Sequence, residues 1–237
     1  MKLKRVLLWL TAGLSLVMII LWQLLFSEVN YYVTSVAVLL LSMLPLLLRY
    51  ERKRSSAREI ALMATLIALA VVSRAAFFLV PQVKPIAAVV IVAAVCLGPQ
   101  RGYIIGVYAA FISNFIFGQG MWTPYQMFAL GMVGLVAGLL FHRKNKKRPP
   151  HWLLAAVGFV LAFAVYGLFV DISTVLAAYG NRVTLQGVLS VYAAGVSFSL
   201  LFGASTAVFL LLFGPVLMQK IDRIVRKFSL LPEAEVS

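Results

Sequence analysis

Charge is scarce in this 237-residue chain. Only 12% of its residues are charged and 63% are hydrophobic, about half the charge of an ordinary soluble domain. Acids are rarest: seven Asp and Glu stand against 21 Lys and Arg. The one cysteine, Cys96, sits in an apolar run, which excludes a disulfide framework and a thiolate metal cluster. The two histidines, His142 and His151, flank one basic stretch without converging ligands, so no metal site is expected. No Gly-Lys dipeptide occurs, which excludes a P-loop and an ATPase of that kind. None of the acids (Glu28, Glu51, Glu59, Asp171, Asp222, Glu233 and Glu235) falls at the middle of an apolar run. Proton- and sodium-driven carriers usually place an ionisable group there, although backbone carbonyls can also bind sodium. No acid–base pair or nucleophile with its base can be assembled, so the chain is not expected to be an enzyme. Strand-type alternation is absent, which argues against a barrel.

What the chain has instead is long apolar runs, several exceeding the roughly 18–20 residues that cross a bilayer. The pattern predicts an all-α polytopic membrane protein of eight segments: residues 6–26, 31–48, 59–80, 86–97, 103–117, 123–141, 152–170 and 187–217. The fourth is short for a span and leans or ends inside the protein. A looser stretch, 171–186, joins the last two. The basic N-terminus before the first run resembles a signal peptide, but the run is long and lacks a small-x-small cleavage site, so it reads as a retained helix. Three regions follow: two N-terminal helices in 1–50, a six-helix core in 51–230, and a tail, 231–237.

With the N-terminus inside, eighteen of the 21 basic residues fall on inner segments. Two, Lys84 and Arg182, fall outside, and Arg74 lies within a span. Such asymmetry is the positive-inside pattern and places both termini in the cytoplasm. It also accounts for the net charge of +14 without nucleic acid as a partner; the bilayer is the partner instead.

Three connections then face outward: 81–85, 171–186 and the GQGMWTPYQ stretch, residues 118–126. The last holds Gln119, Trp122, Thr123, Tyr125 and Gln126 and no charge. Trp122 and Tyr125 have two readings, interface-belt aromatics or walls of a small-molecule site in which amides fix orientation. Gly118 and Gly120 would let the backbone turn tightly or approach a ligand. Asn114, late in the fifth segment, either bonds another helix or points into a cavity beneath this loop. Arg74 lies about 9 Å deep and its cost needs an offset. Asp171 is the acid within reach; the alternative is an anionic or polar ligand group.

Small residues recur at four-residue spacing: Ala57 and Ala61, Ala64 and Ala68, Gly102 and Gly106, Gly134 and Gly138. Such faces let backbones approach. Internal packing suits the glycines, while a partner subunit competes with packing for the alanines. The stretch 216–231, apolar at helical spacing with basic residues between, reads as the inner end of the eighth helix emerging along the membrane surface.

Residues 57–227 resemble the S component of energy-coupling-factor (ECF) vitamin importers. The resemblance is carried by SAREIALMATLIALAVVSRAAFFLVP, a small-residue helix ending at a proline turn. It continues in the short helix, the GPQRG turn, the Asn-bearing helix and the FGQGMWTPYQMFALG loop. The first two segments lie outside it. It implies a membrane subunit that captures a vitamin at the outer face and docks on a transmembrane coupling subunit carrying two ATPases. The chain itself would use no cofactor, with ATP spent by the partners. An Ala-x-x-x-Ala face implies docking through Ala57 and Ala61 or Ala64 and Ala68. The implied ligand surface includes Arg74, Gln82, Lys84, Asn114, Gln119, Trp122, Thr123, Tyr125, Gln126 and Asp171. RAAFFLVPQVKP and FGQGMWTPYQMFALG look most like the cobalamin type, with thiamine precursors and queuosine as other ligands. An autonomous permease or a membrane scaffold is the competing reading.

Overall fold

The computed structural model describes residues 57–142, 148–180 and 182–230, with isolated positions (10, 13, 14, 16, 17, 21, 36 and 37) nearer the N-terminus. The two N-terminal spans expected at 6–26 and 31–48, and the tail at 231–237, lie outside the described stretches. All regular structure among the described residues is helical: α1 (Ala57–Ala76), α2 (Ile86–Leu97), α3 (Pro99–Phe117), α4 (Thr123–Phe141), α5 (His151–Val160), a π-helical turn (Leu161–Tyr166), α6 (Gly167–Tyr179) and α7 (Leu185–Lys227). Helix α5, the π turn and α6 form one rod, so the core is six rods. Four of them (α1, α4, the α5–α6 rod and α7) are long and apolar enough to cross a membrane. The chain is an all-α polytopic membrane protein.

The bundle forms around α2. This helix is apolar on every side, and all of its residues except Val95 are buried, as expected of a helix with no polar face. At about 18 Å it cannot span a bilayer alone, and its neighbours enclose it instead. Gly98 stops it at φ 98°, a conformation only glycine adopts freely, and Pro99 opens α3 at a position needing no N–H.

Helices α3 and α4 meet through their glycines. A methyl group on Gly106 would lie 2.3 Å from the Leu130 carbonyl oxygen, and one on Gly134 would lie 2.3 Å from that of Gly102. The internal-packing reading of both glycine pairs therefore holds. Gly106→Val is expected to cost about 3 kcal/mol or more, since rigid backbone blocks the added carbons. Thermal unfolding in detergent checks this; an unchanged midpoint would show that the helices can part.

The α5–α6 rod and α7 form a long antiparallel hairpin. Arg148 pairs with Asp222 near one end, and Tyr179 packs over Gly187 at the other. The looser stretch expected at 171–186 is in fact helical to Tyr179. Its polar residues do not break the helix, because the Ser173 and Thr174 hydroxyls donate back to the Val170 carbonyl. Only 180–184 connect the rods, with Thr184 accepting from Gly187 N at 3.1 Å. Helix α7 runs 43 residues, about 64 Å. The stretch expected to emerge along the membrane surface belongs to it, with Met218, Ile221 and Val225 buried at helical spacing.

The third segment also shifts, from 59–80 to Ala57–Ala76. Past Ala76 the chain makes turns, and Lys84 Nζ donates to the Phe77 and Phe78 carbonyls, where α1 has run out of donors. At the other end of α1, Glu59 (5% exposed) accepts from Arg101 Nε (3% exposed) at 2.6 Å. Sequence analysis opens the third segment at Glu59 and leaves Arg101 in the turn before the fifth. Together they tie α1 to the start of α3.

Candidate functional site

The connections 77–85 and 118–122 lie at one end of the bundle, away from the basic end that carries Arg148 and the end of α7. Between them opens a cavity of about 430 Å³. Its wall is aromatic (Phe78, Phe117, Trp122, Tyr166 and Phe202) with four polar side chains, Arg74, Gln82, Lys84 and Gln126. All six rods and the 81–85 turn contribute, so the site exists only in the folded bundle.

A polar chain runs from α1 into the 118–126 loop. Arg74 Nη1 donates to Ser113 Oγ and, at 2.8 Å, to Asn114 Oδ1. Asn114 is 1% exposed. Its Nδ2 donates to Gln126 Oε1 at 2.8 Å and to Thr123 Oγ1 at 3.2 Å. Because a guanidinium can only donate, Arg74 fixes the amide's orientation. Thr123 Oγ1 also accepts from Gly120 N at 3.1 Å and donates to Gln119 Oε1 at 2.9 Å. Gln119 Nε2 in turn donates to the Phe111 carbonyl at 3.1 Å. The loop is thus bonded throughout, and Gly120 lets the Trp122 ring lie against its backbone: a methyl there would be 2.5 Å from the ring.

Two cations reach one ring. The Phe117 centroid lies 4.2 Å from Arg74 Cζ and 5.0 Å from Lys84 Nζ, both within cation–π range. Burial, and then the charge of Arg74, hold the Lys84 ammonium below its ordinary pKa.

These placements sort the expected site residues. Arg74, Lys84, Trp122 and Gln126 line the cavity. Asn114, Thr123 and Gln119 stand behind it, holding the liners in place. Tyr125 is buried in the hydrophobic core and is not a wall residue. Asp171 does not pair with Arg74; it lies on α6 with its carboxylate against Gly195. The amide of Asn114 and the hydroxyl of Ser113 take that place. Sequence analysis missed Ser113, Tyr166 and Phe202, and did not single out Phe117 within the 114–126 stretch that the resemblance implies for the ligand. Ser113 and Phe117 flank Asn114 at helical spacing, which could have pointed to them. Tyr166 gave no such signal, because it ends the π turn, whose extra residue shifts the register of α6 against α5.

The alanine face of α1 points away from the bundle. Ala57, Ala61, Ala64 and Ala68 are all exposed, while Leu62, Met63, Leu66, Ala70 and Val71 on the opposite face are buried. Packing within this core does not explain the stripe. No cluster of metal-ligating side chains occurs among the described residues.

Comparison with known proteins agrees with this architecture. The family model for the ECF-type riboflavin transporter, S component, matches residues 54–214. No curated protein matches, and no solved structure does. The family is a transporter component and not an enzyme. It supports the S-component resemblance and gives none to the cobalamin subtype. The match leaves out the two N-terminal segments and covers more than half of the chain, which therefore belongs to the family of ECF-type riboflavin transporter S components.

Proposed function

We propose that this chain captures a flat heteroaromatic vitamin of flavin size in the cavity at the 81–85 end. That end faces outward, as the distribution of Lys and Arg supports. The chain then docks through the Ala57, Ala61, Ala64 and Ala68 face on a transmembrane coupling subunit bound to two ATPases. It spends no ATP itself.

The observation that carries this reading is the cavity. Arg74 and Gln126 are held by one hydrogen-bond network through Asn114, Lys84 is held by two backbone carbonyls, and five aromatic rings share the rest of the wall with small and aliphatic side chains. Stacking surface with a few fixed polar groups is what a ring-bearing ligand needs. A volume of about 430 Å³ lies in the lower part of the usual range for small-molecule sites, about 300–1,000 Å³. A corrinoid is several times bulkier than a flavin and would need the walls to part.

Calorimetric titration of the purified full chain, without ATP, tests the reading against riboflavin, thiamine, queuosine and cobalamin. Tight binding of riboflavin alone is the expected result. Tight binding of cobalamin alone would replace the flavin with a corrinoid and require the cavity to widen. Protein that stays folded and binds none of them would favour the permease or scaffold reading.

A further inference from the structure

The charges around the cavity do not balance. Arg74 and Lys84 both line it, and no Asp or Glu among the described residues does. The three described acids are placed elsewhere: Glu59 pairs with Arg101, Asp222 with Arg148, and Asp171 faces Gly195 on α7. Two like charges thus share the Phe117 ring in partly desolvated surroundings, where their repulsion is felt more strongly than in water. The hydrogen bonds that hold them are to neutral groups. Ser113 and Asn114 take Arg74 Nη1, leaving Nε and Nη2 without a hydrogen-bond partner among the described residues. Lys84 donates to two backbone carbonyls and has a third donor to offer. Neutral acceptors fix the positions of the two cations and leave the net charge of the site at about +2.

Resting on the flavin reading above, we infer that this cavity prefers a flavin whose side chain carries an anionic group, a phosphate or a carboxylate, held between Arg74 and Lys84 beside Phe117. An anion there meets a planar guanidinium donor on one side and an ammonium on the other, the pair that phosphate and carboxylate recognition uses most. A neutral ligand would leave both charges uncompensated. The depressed pKa of the Lys84 ammonium, caused by burial and then by Arg74, agrees with a site that lacks its counter-ion. Stacking and charge then divide the work: the rings hold the planar part, and the two cations select its side chain.

The test compares three flavins on the full chain: riboflavin, riboflavin 5′-phosphate and a flavin bearing a carboxymethyl side chain. At least one anionic flavin is expected to bind about tenfold tighter than riboflavin, the scale of one added charge-assisted hydrogen bond. Whichever anion binds tighter names the group. In Lys84→Gln the ratio of anionic to neutral affinity should fall about tenfold, and Lys84→Arg should largely keep it. Added salt should lower the ratio in wild type. Equal or tighter binding of riboflavin, or a ratio that Lys84→Gln leaves unchanged, would overturn the inference while the flavin reading stands. Failure of all three flavins to bind a folded chain would overturn both.

Discussion

Asn114→Leu is expected to abolish vitamin capture. Leucine fills nearly the same volume but can neither accept from Arg74 nor donate to Thr123 and Gln126. Arg74 would lose one of its two acceptors and swing about Ser113. Gln126, a wall residue, would lose the group that aims it. A hydrogen bond to a charged partner contributes about 1.5–3 kcal/mol and a neutral one about 1 kcal/mol. Their combined loss corresponds to an affinity drop of about a hundredfold or more. Titration with the tightest-binding vitamin gives the result, and the unfolding midpoint read alongside shows whether the bundle survives. Asn114→Asp is the informative companion. It keeps an acceptor for Arg74 and adds a negative charge to the site, so an anionic ligand should lose more affinity than a neutral one. Wild-type affinity in Asn114→Leu would make the network structural support only.

Ala61→Trp should have the opposite profile, with capture retained and uptake lost. Ala61 is exposed on the face of α1 turned from the core, so an indole there is clear of the six-rod core. On a docked partner it would hold two helix backbones apart at the spacing small residues allow. Transport into cells containing the coupling subunit and ATPases is expected to fall at least about tenfold, as disruption of a close-packed contact costs 1–3 kcal/mol. Co-purification of the coupling subunit should fall with it. Normal uptake by this variant would move the docking face elsewhere.

The fold was most legible where punctuation is strong. Pro85 and Gly98 bracket α2, and Thr123 and the basic run after Phe141 bracket α4, so both helices have the limits read from sequence. Legibility failed where side chains altered the backbone's options. Ser173 and Thr174 look like loop residues, yet they bond within the helix and let α6 continue. The π turn changes register without any residue that announces it.

In the site, the loop's Gln119, Trp122, Thr123 and Gln126 stood out by type, and the structure brings them together. Their division into wall and support depends on which helix face each occupies, and Tyr125 fell on the core face. Arg74 illustrates a different limit. Its place within a span is evident from sequence, which offers one acid within reach, Asp171. The bundle supplies an amide and a hydroxyl instead. Glu59 and Arg101 reverse the case: charges read at a segment start and in a turn are a buried pair. Separations of 40 and 42 residues are set by packing, which one sequence does not display.

The central claim, that this cavity opens outward and closes on a vitamin, is tested most directly by accessibility in intact cells. Cys96→Ala removes the only native thiol. Phe78→Cys then places one thiol at the cavity wall, where Phe78 is 54% exposed. Arg182→Cys, at an exposed position in the connection between α6 and α7, is the control. A membrane-impermeant maleimide added outside is expected to label both variants, and the vitamin should protect F78C while leaving R182C open. Labelling of F78C only after the cells are opened would invert the orientation, and labelling that no vitamin slows would contradict capture at this cavity.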